Sequence, residues 1–302
     1  MKRHHSTWRT AALMSAGAAL LASAAGCGSG QADATVEGAA AAVDQALRAR
    51  LPEDIRESGV IRVATDASYA PASFFAEDRK TIVGFEPDLA ARLGEVLGVR
   101  FAFVQTPFLD VLPDVEAGRV DIAISAITDT EERQQLVDFV NYFTAGTSIL
   151  VQRGNPEGVH DIRDLCGQVV AVEEGTTQVE LLERSQEGCG VNPIDIAAYP
   201  TNSDALAALR TGQATAVLND YPPAAYLAND PKTQANFQLA ADIQYEPGLY
   251  GIAVNKNESD LRDVLYDALT ALMVNGEYRR ILREWEVSDG ALGMASVNGG
   301  SV

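Results

Sequence analysis

The sequence predicts an α/β protein made of two lobes, each built on a mainly parallel sheet. Short apolar runs typical of buried strands alternate with segments whose apolar residues recur at helical spacing, the pattern of a parallel sheet covered on both faces. This alternation occurs twice along the chain. Two extended stretches, Thr147–Gln152 and Gly251–Asn255, fall between the two halves, and we expect them to cross from one lobe to the other.

The first half opens with a strand in which Ile61, Val63 and Thr65 alternate with other residues. A helix follows over Glu86–Leu97, because its apolar residues form one stripe and Gly98 ends it. The remaining elements are a strand at Phe101 and Phe103, a helix over Phe108–Glu116 and a buried strand over Val120–Ser125.

The second half repeats this order, and the end of the chain is helical. Strands are predicted over Val169–Val172, Ile194–Tyr199 and Ala214–Leu218. Helices are predicted over Thr177–Ser185 and Ser203–Leu209, from Pro222 onward, along an apolar stripe from Leu261 to Leu272, and over Glu277–Trp285.

Residues 1–26 are typical of a secretory signal peptide. Lys2, Arg3 and Arg9 precede an apolar run whose length, about 16 residues, is too short for a stable membrane span. The run ends at Ala24-Ala25-Gly26-Cys27, which resembles the lipobox of bacterial lipoproteins, where the cysteine carries a diacylglycerol. Ala24 stands where a large aliphatic residue is usual, so ordinary cleavage beside an incidental cysteine is the alternative. Residues 27–53 are then expected to be a linker to the lipid, followed by an Ala-rich segment that could form a surface helix.

Charge and composition exclude several functions. Without residues 1–26 the chain has a formal net charge of −22, which disfavours nucleic acid as a partner. His160 is then the only histidine, so no His-based metal site is expected. The sequence has no P-loop, dinucleotide fingerprint or Ser-His-Asp set, and we expect no cofactor.

Cys166 and Cys189 remain after Cys27 is assigned to the anchor. Disulfides persist in secreted proteins, and a bond between these two would constrain the unfolded chain by about 3 kcal/mol. Two buried free thiols are the alternative.

Short phrases spread over most of the chain, from about Gly59 to Trp285, resemble the polar-amino-acid type (family 3) of periplasmic solute-binding proteins. Each is weak alone, but their order and spacing are similar to the family's. They are Arg62–Pro71, Val83–Ala90, Gly118–Ala123, Thr128–Arg133, Val137–Phe139, Asp164–Gly167, Val172–Thr177 and Leu218–Asp220. The Leu165-Cys166-Gly167 phrase with a later cysteine is similar to an actinobacterial branch of lipoproteins, which supports the disulfide.

The resemblance implies a type II periplasmic-binding-protein-like fold, with two mainly parallel sheets joined by two hinge strands. One lobe would comprise residues 54–147 and 253–290, the other residues 148–252, and residues 291–302 would be a flexible tail. The implied function is capture of an amino acid by hinge closure and delivery to an ABC permease. The protein would act as a monomer without catalysis, anchored by lipid to the outer face of the cell membrane.

The resemblance also implies which residues would bind the two charged groups of an amino acid. Arg133 would hold the carboxylate with a bidentate fork, aided by the start of a helix at Thr128–Arg133, the Thr128 hydroxyl and the Ser125 backbone. Asp220 would hold the α-ammonium. The alternatives are a helix cap with a surface arginine, and an aspartate that caps the helix beginning near Tyr221.

Lobe 2 and the aromatic positions complete the implied site. Thr176 and Thr177, with Gly175, resemble the segment that donates hydrogen bonds to the carboxylate, although Gly-Thr-Thr is also an ordinary helix cap. Tyr69 and Phe108 would flank the ligand side chain, or belong to the core. Asp66 and Glu173 lie where the family selects charge, and together slightly favour a cationic side chain; the alternative is that they are solvated.

The chain departs from the family pattern near Tyr69. Ala72 follows Tyr-Ala-Pro where the family has phenylalanine, and the aromatics come at Phe74 and Phe75, so the wall of the pocket is expected to differ. Two rival functions stay open. One is an enzyme resembling the cyclohexadienyl dehydratases, with Asp66 or Glu173 as the catalytic acid. The other is a lipoprotein that senses a ligand without importing it.

Overall fold

The computed structural model of the chain describes residues 43–301. The predicted signal peptide, the predicted lipidation site at Cys27 and the first part of the predicted linker lie outside the described residues. Within 43–301, no helix is both long enough and apolar enough to cross a membrane.

Helices and strands alternate through the described residues as predicted, and the α/β fold class is confirmed. The first part of the chain forms helices α1 (Gln45–Arg50), α2 (Glu53–Ser58), α3 (Phe85–Leu97) and α4 (Phe108–Glu116), and strands β1 (Val60–Thr65), β2 (Ser68–Tyr69), β3 (Ser73–Phe75), β4 (Ile82–Val83), β5 (Arg100–Gln105) and β6 (Ile122–Ala123).

The second part forms strands β7 (Val137–Gln152), β8 (Val169–Glu173), β9 (Asp195–Tyr199), β10 (Ala216–Asp220), β11 (Phe237–Leu239) and β12 (Tyr245–Asn255), with helices α5 (Thr177–Ser185), α6 (Asn202–Thr211) and α7 (Tyr221–Asn229). The chain ends with α8 (Ser259–Asn275), α9 (Glu277–Glu284) and β13 (Ala291–Val297). We call the part around α1–α4, α8 and α9 the first lobe, and the part around α5–α7 the second lobe.

Two long antiparallel strands, β7 and β12, join the lobes. The main sheet has the strand order β5-β1-β6-β12-β7-β10-β8-β9, so the two expected sheets are continuous through these strands. The first half of β7 pairs with β12 and its second half pairs with β10 and β11. The chain therefore passes between the lobes near residues 144–147 and 245–249. These residues border the predicted stretches Thr147–Gln152 and Gly251–Asn255 and overlap them only at Thr147. A small antiparallel sheet, β2-β3-β4, is separate and was not predicted.

Alternate residues of the strands enter different cores, so the sheet is buried on both faces. In the first lobe, Val63 and Ile122 belong to the core under α3 and α8, whereas their neighbours Ala64 and Ala123 face the core under α4. The second lobe repeats this arrangement along its own strands, with one core on each face. This two-sided burial explains why the strands are continuous apolar runs in the sequence.

The Ala-rich stretch, for which a surface helix was considered, ends in α1, which packs on the first lobe and places Leu47 and Leu51 in its core. One of the predicted boundaries was wrong. Residues 291–302 were expected to be a flexible tail, but β13 is hydrogen-bonded to β7. The Gly- and Ser-rich composition of this segment suggests mobility, whereas its partners on β7 lie about 150 residues earlier in the chain.

The disulfide between Cys166 and Cys189 is confirmed. It joins the turn before β8 to the end of a 3-10 turn that follows α5, with the two Cα atoms 5.2 Å apart. The bond links two segments of the second lobe that are 23 residues apart in sequence.

Replacing both cysteines with serine should lower the free energy of unfolding by about 3 kcal/mol, because the unfolded chain regains the freedom of the closed loop. Urea denaturation of the oxidised protein and of the double variant measures this difference. Wild-type protein under reducing conditions serves as the control and should match the variant. Equal unfolding midpoints for oxidised wild type and variant would contradict a stabilising disulfide.

Candidate functional site

One cavity between the lobes brings together all ten side chains predicted to contact a ligand. The carboxyl ends of β1, β6, β8 and β10 meet there, as open α/β folds place their ligands. The cavity is lined by Asp66, Tyr69, Phe108, Ser125, Thr128, Arg133, Glu173, Thr176, Thr177 and Asp220, together with Ala126 and Gln178.

Asp220 ends β10 and turns its carboxylate into the cavity. The Tyr69 hydroxyl, from the other lobe, donates to Oδ2 at 3.1 Å, and the Gln178 amide donates to Oδ1 at 2.7 Å. The carboxylate does not bond to the amides of α7, so the helix-capping alternative does not describe its side chain. Burial raises the pKa of Asp220 to about 6, and its hydrogen bonds and the charge of Arg133 oppose the rise.

The sequence reasoning missed Gln178, the second residue of α5. Its side chain is buried, with 4% exposed, and holds the Asp220 carboxylate from inside the second lobe. One signal could have identified it. Gln178 stands three and four residues before Leu181 and Leu182, so it occupies the buried stripe of the helix. A polar residue on a buried stripe needs a polar partner.

Arg133 bridges the lobes with its guanidinium group. Nη1 donates to the Thr128 carbonyl at 2.8 Å, and Nη2 donates to the Gly175 carbonyl of the second lobe at 3.1 Å. The guanidinium carbon lies 5.7 Å from the centre of the Phe108 ring, within cation–π range. Burial lowers the pKa of Arg133, and nearby carboxylates oppose that effect.

The expected helix beginning at Thr128 was wrong. Residues 128–132 are not helical, and only a three-residue 3-10 turn, Arg133–Gln135, follows. Their backbone bonds elsewhere, since Thr128 forms a bridge with Tyr250 and the Asp129 amide donates to the Leu249 carbonyl at 2.7 Å. Arg133 is therefore carried by a loop tied to β12.

Asp66 and Glu173 are buried in the cavity wall, with 2% and 6% exposed. Among the described residues, Asp66 Oδ2 and Glu173 Oε1 have no hydrogen-bond partner. Burial raises the pKa of Asp66. Burial, followed by the charges of Asp66 and Asp220, raises the pKa of Glu173 to about 8. Residues 43–301 contain no group of three or more His, Cys, Asp or Glu side chains that could hold a metal ion.

The hydroxyls of two further predicted residues, Ser125 and Thr176, bond to backbone groups near the cavity. The Ser125 hydroxyl accepts from the Asp66 amide at 2.9 Å, which orients Asp66. Thr176 stands at the N-cap of α5, but its hydroxyl donates to the Glu173 carbonyl at 2.7 Å and does not cap the helix. Thr177 begins α5. The start of this helix, which no side chain caps, borders the cavity and favours negative charge there.

The displaced aromatics lie outside the cavity. Phe74 packs against Trp285 of the first lobe and Tyr226 of the second, with ring centres 6.0 and 6.3 Å apart. Phe75 is 39% exposed. Tyr69 and Phe108 are therefore the two aromatic side chains among the residues described as lining the cavity.

The segment Gly84-Phe85-Glu86 supports the wall of the cavity. A side chain at Gly84, whose φ is 141°, would place its Cβ 1.9 Å from the Ala72 carbonyl oxygen. Glu86 is fully buried, and its carboxylate accepts from the Ser73 hydroxyl and the Ala126 amide, each at 2.6 Å. Ala126 lines the cavity with φ of 47°, a left-handed conformation that costs a residue other than glycine free energy. Glu86 stabilises this conformation.

Gly175 allows the lobes to approach each other. Its φ is 74°, and a Cβ there would lie 2.3 Å from Leu109 Cδ2 on the opposite lobe. The same approach brings the Gly175 carbonyl to Arg133.

The family described as bacterial extracellular solute-binding proteins, family 3, matches residues 61–288. The arginine-binding protein ArgT of Corynebacterium glutamicum is 31% identical over 256 residues, which cover 83% of this chain and 82% of that protein.

Two solved structures share the fold. An ancestral arginine-binding protein bound to glutamine has a TM-score of 0.69 at 31% identity, covering 76% of this chain and 98% of that one. The ancestral amino acid-binding protein AncCDT-1, a precursor of cyclohexadienyl dehydratase, has a TM-score of 0.67 at 31% identity, covering 77% and 97%.

The raised pKa of Glu173 predicts how Glu173→Gln changes stability. Between the ordinary pKa of 4.5 and about 8, the folded state holds a proton that the unfolded state loses, so this group reduces stability as pH rises. Glutamine removes the titration. The melting temperature of the ligand-free variant minus that of wild type should therefore be larger at about pH 8.5 than at about pH 5. The two differences should differ by roughly 3 °C or more.

Differential scanning calorimetry at the two pH values measures this difference. Glu174→Gln, at the partly exposed neighbouring carboxylate, is the matched control and should give nearly the same small change at both. An effect of Glu173→Gln that is equal at both pH values would mean that Glu173 is not buried as described.

Proposed function

The chain belongs to family 3 of the bacterial extracellular solute-binding proteins, and we propose that it captures an amino acid with a cationic side chain and delivers it to an ABC permease. The observation that carries the choice of ligand is the cavity's charge. Three buried carboxylates, Asp66, Glu173 and Asp220, face it together with one guanidinium, Arg133. An amino acid with a second positive charge offsets this excess.

The ligand carboxylate is assigned to Arg133 and the first turn of α5. A guanidinium binds a carboxylate with two parallel hydrogen bonds. Its Nη atoms now donate to the carbonyls of Thr128 and Gly175, and a carboxylate is the stronger acceptor. The amides that follow Thr176 border the same space and are not capped by a side chain.

The α-ammonium is assigned to Asp220. Its carboxylate is buried and held by Tyr69 and Gln178, so its position is set before a ligand arrives. Each donor bonds to one carboxylate oxygen, and an ammonium group in the cavity would add a charge-assisted bond. Binding of a cation lowers the pKa of Asp220 towards its ordinary value.

The cationic side chain is assigned to Asp66 and Glu173. Each has a buried oxygen without a hydrogen-bond partner among the described residues, and a buried unpaired acceptor costs about 1–3 kcal/mol. A guanidinium or ammonium group would satisfy both. The faces of Tyr69 and Phe108 border the same cavity and would add cation–π attraction.

Capture is proposed to proceed by hinge closure about β7 and β12. The site is complete only when the lobes meet, since Tyr69 reaches Asp220 and Arg133 reaches Gly175 across the cleft. Closure excludes water, which strengthens each charge pair. A ligand that binds both lobes shifts the equilibrium towards the closed form.

The protein's location and its partner are also part of what we propose. Cys27 is proposed to carry the lipid that holds the protein at the outer face of the cell membrane, and the permease is proposed to recognise the closed form. The protein is proposed to act as a monomer and not as an enzyme.

One observation favours a second candidate, a dehydratase. Glu173, with a pKa of about 8, is protonated near neutral pH when no cation is bound, as a general acid for the removal of water must be. AncCDT-1 is described both as an amino acid-binding protein and as a precursor of cyclohexadienyl dehydratase. Asp220 argues against this candidate, because it offers an ammonium partner that an acid substrate without an amine does not use.

Isothermal titration calorimetry of residues 28–302 against arginine, lysine, citrulline and glutamine tests the proposal. Citrulline has nearly the shape of arginine without its charge, and we expect it to bind roughly tenfold or more weakly. Asp220→Ala should abolish binding of all four. Glu173→Gln should reduce the preference for arginine over citrulline, whereas the control Glu174→Gln should leave it intact.

Each outcome separates the parts of the proposal. Equal affinity for arginine and citrulline would refute the cationic class while retaining amino acid capture. Absence of binding to any amino acid would refute capture. Conversion of prephenate to a product, monitored by absorbance, would establish that the protein is a dehydratase instead.

A further inference from the structure

The last described residues lie beyond the part of the chain that matches the family, which ends at residue 288. Strand β13 pairs with β7 through Ser296 opposite Asn141 and Val297 opposite Val140. The chain then continues through Asn298, Gly299 and Gly300. We call residues 296–300 the C-terminal clasp.

The clasp is fixed to β7 by backbone and side-chain hydrogen bonds. The Asn298 amide donates to the Phe139 carbonyl at 3.0 Å, and the Phe139 amide donates to Asn298 Oδ1 at 2.7 Å. The Gly299 amide and the Ser296 hydroxyl both donate to Asn141 Oδ1, at 2.9 and 2.8 Å.

The end of the clasp reaches Asp129, which immediately follows Thr128. The Gly300 amide donates to Asp129 Oδ2 at 2.9 Å. The contact is close, because a Cβ on Gly300 would lie 1.8 Å from the Asp129 carbonyl oxygen. Asp129 is fully buried, so its carboxylate depends on the donors around it.

The other end of the same loop is tied to the clasp by Gln134, the neighbour of Arg133. Gln134 Nε2 donates to Asp129 Oδ1 at 2.8 Å and to the Gly300 carbonyl at 3.0 Å. Asn141 Nδ2 also donates to Asp129, at 2.8 Å. The clasp thus contacts residues on both sides of the segment that carries Thr128 and Arg133.

We propose that the C-terminal clasp is a positioning element for the ligand site, which sets the conformation of residues 128–134 and so the placement of Thr128 and Arg133. The loop lacks a helix of its own apart from one 3-10 turn, so external hydrogen bonds determine its shape. The consequence for affinity rests on the proposed function. The effect on the loop does not.

The test uses residues 28–302 with Asn298→Ala and Gly300→Leu combined, which removes the Asn298 bonds and forces a side chain against Asp129. Ser301→Leu places the same side chain at the next, exposed position and is the matched control. Thr201→Ala removes the N-cap of α6 in the second lobe and controls for a general loss of stability. A chain ending at Val297 is the second clasp variant, for use if the first does not fold.

Hydrogen–deuterium exchange of the ligand-free proteins is the first readout. Amides 128–135 should exchange faster in the clasp variants than in wild type or either control, while residues 173–178 of the second lobe remain unchanged. Unchanged exchange at 128–135 would overturn the proposal. Because no ligand is present, this result stands even if the chain binds no amino acid.

Affinity for arginine is the second readout. The clasp variants should bind roughly tenfold more weakly, as expected when a buried group loses a donor. Thr201→Ala should lower the melting temperature but keep the affinity within about twofold of wild type. Clasp variants that retain wild-type affinity would show that the clasp supports stability alone, and would overturn its role at the site.

Discussion

Burying a carboxylate costs free energy unless donors or a cation compensate, and this chain buries Asp66, Glu173 and Asp220 around one cavity. Asp220 is compensated by Tyr69 and Gln178, whereas Asp66 and Glu173 each keep an oxygen unpaired among the described residues. Mutual repulsion adds to burial and raises the pKa of Glu173 to about 8. Near neutral pH the ligand-free cavity therefore keeps Glu173 protonated, and a bound cation would favour its ionised form instead.

Much of the rest of the fold serves to bring these groups together. Strands β7 and β12 connect the lobes, and the glycine at position 175 permits the approach that closes the cleft. Support from outside the cavity is equally specific. Glu86 stabilises the left-handed backbone of Ala126, and the C-terminal clasp bonds to the buried carboxylate of Asp129. Both act on loops that supply backbone atoms to the first lobe's side of the cavity.

The sequence indicates the strand ends well, because Glu173 directly follows an apolar run, Asp220 comes two residues after another, and parallel strands end at one edge. Helix bounds were also predictable where the apolar stripe was long, as for Glu86–Leu97, which begins one residue earlier in the structure. The local sequence pattern led to a wrong prediction where the residues that determine a segment's conformation are distant in sequence. The segment after residue 290 resembles a loose tail until Asn141 and Asp129 are beside it, and Thr128–Arg133 resembles a helix start until β12 takes its backbone bonds.

Proton release on ligand binding tests the central claim most directly. Calorimetric titration of arginine near pH 7, in two buffers of different ionisation enthalpy, gives the number of protons exchanged. Since Glu173 is mostly protonated in the free protein and a cation favours its ionised form, arginine should release a substantial fraction of one proton and citrulline almost none. Equal exchange for both ligands, or proton uptake with arginine, would contradict a cation held by the buried carboxylates.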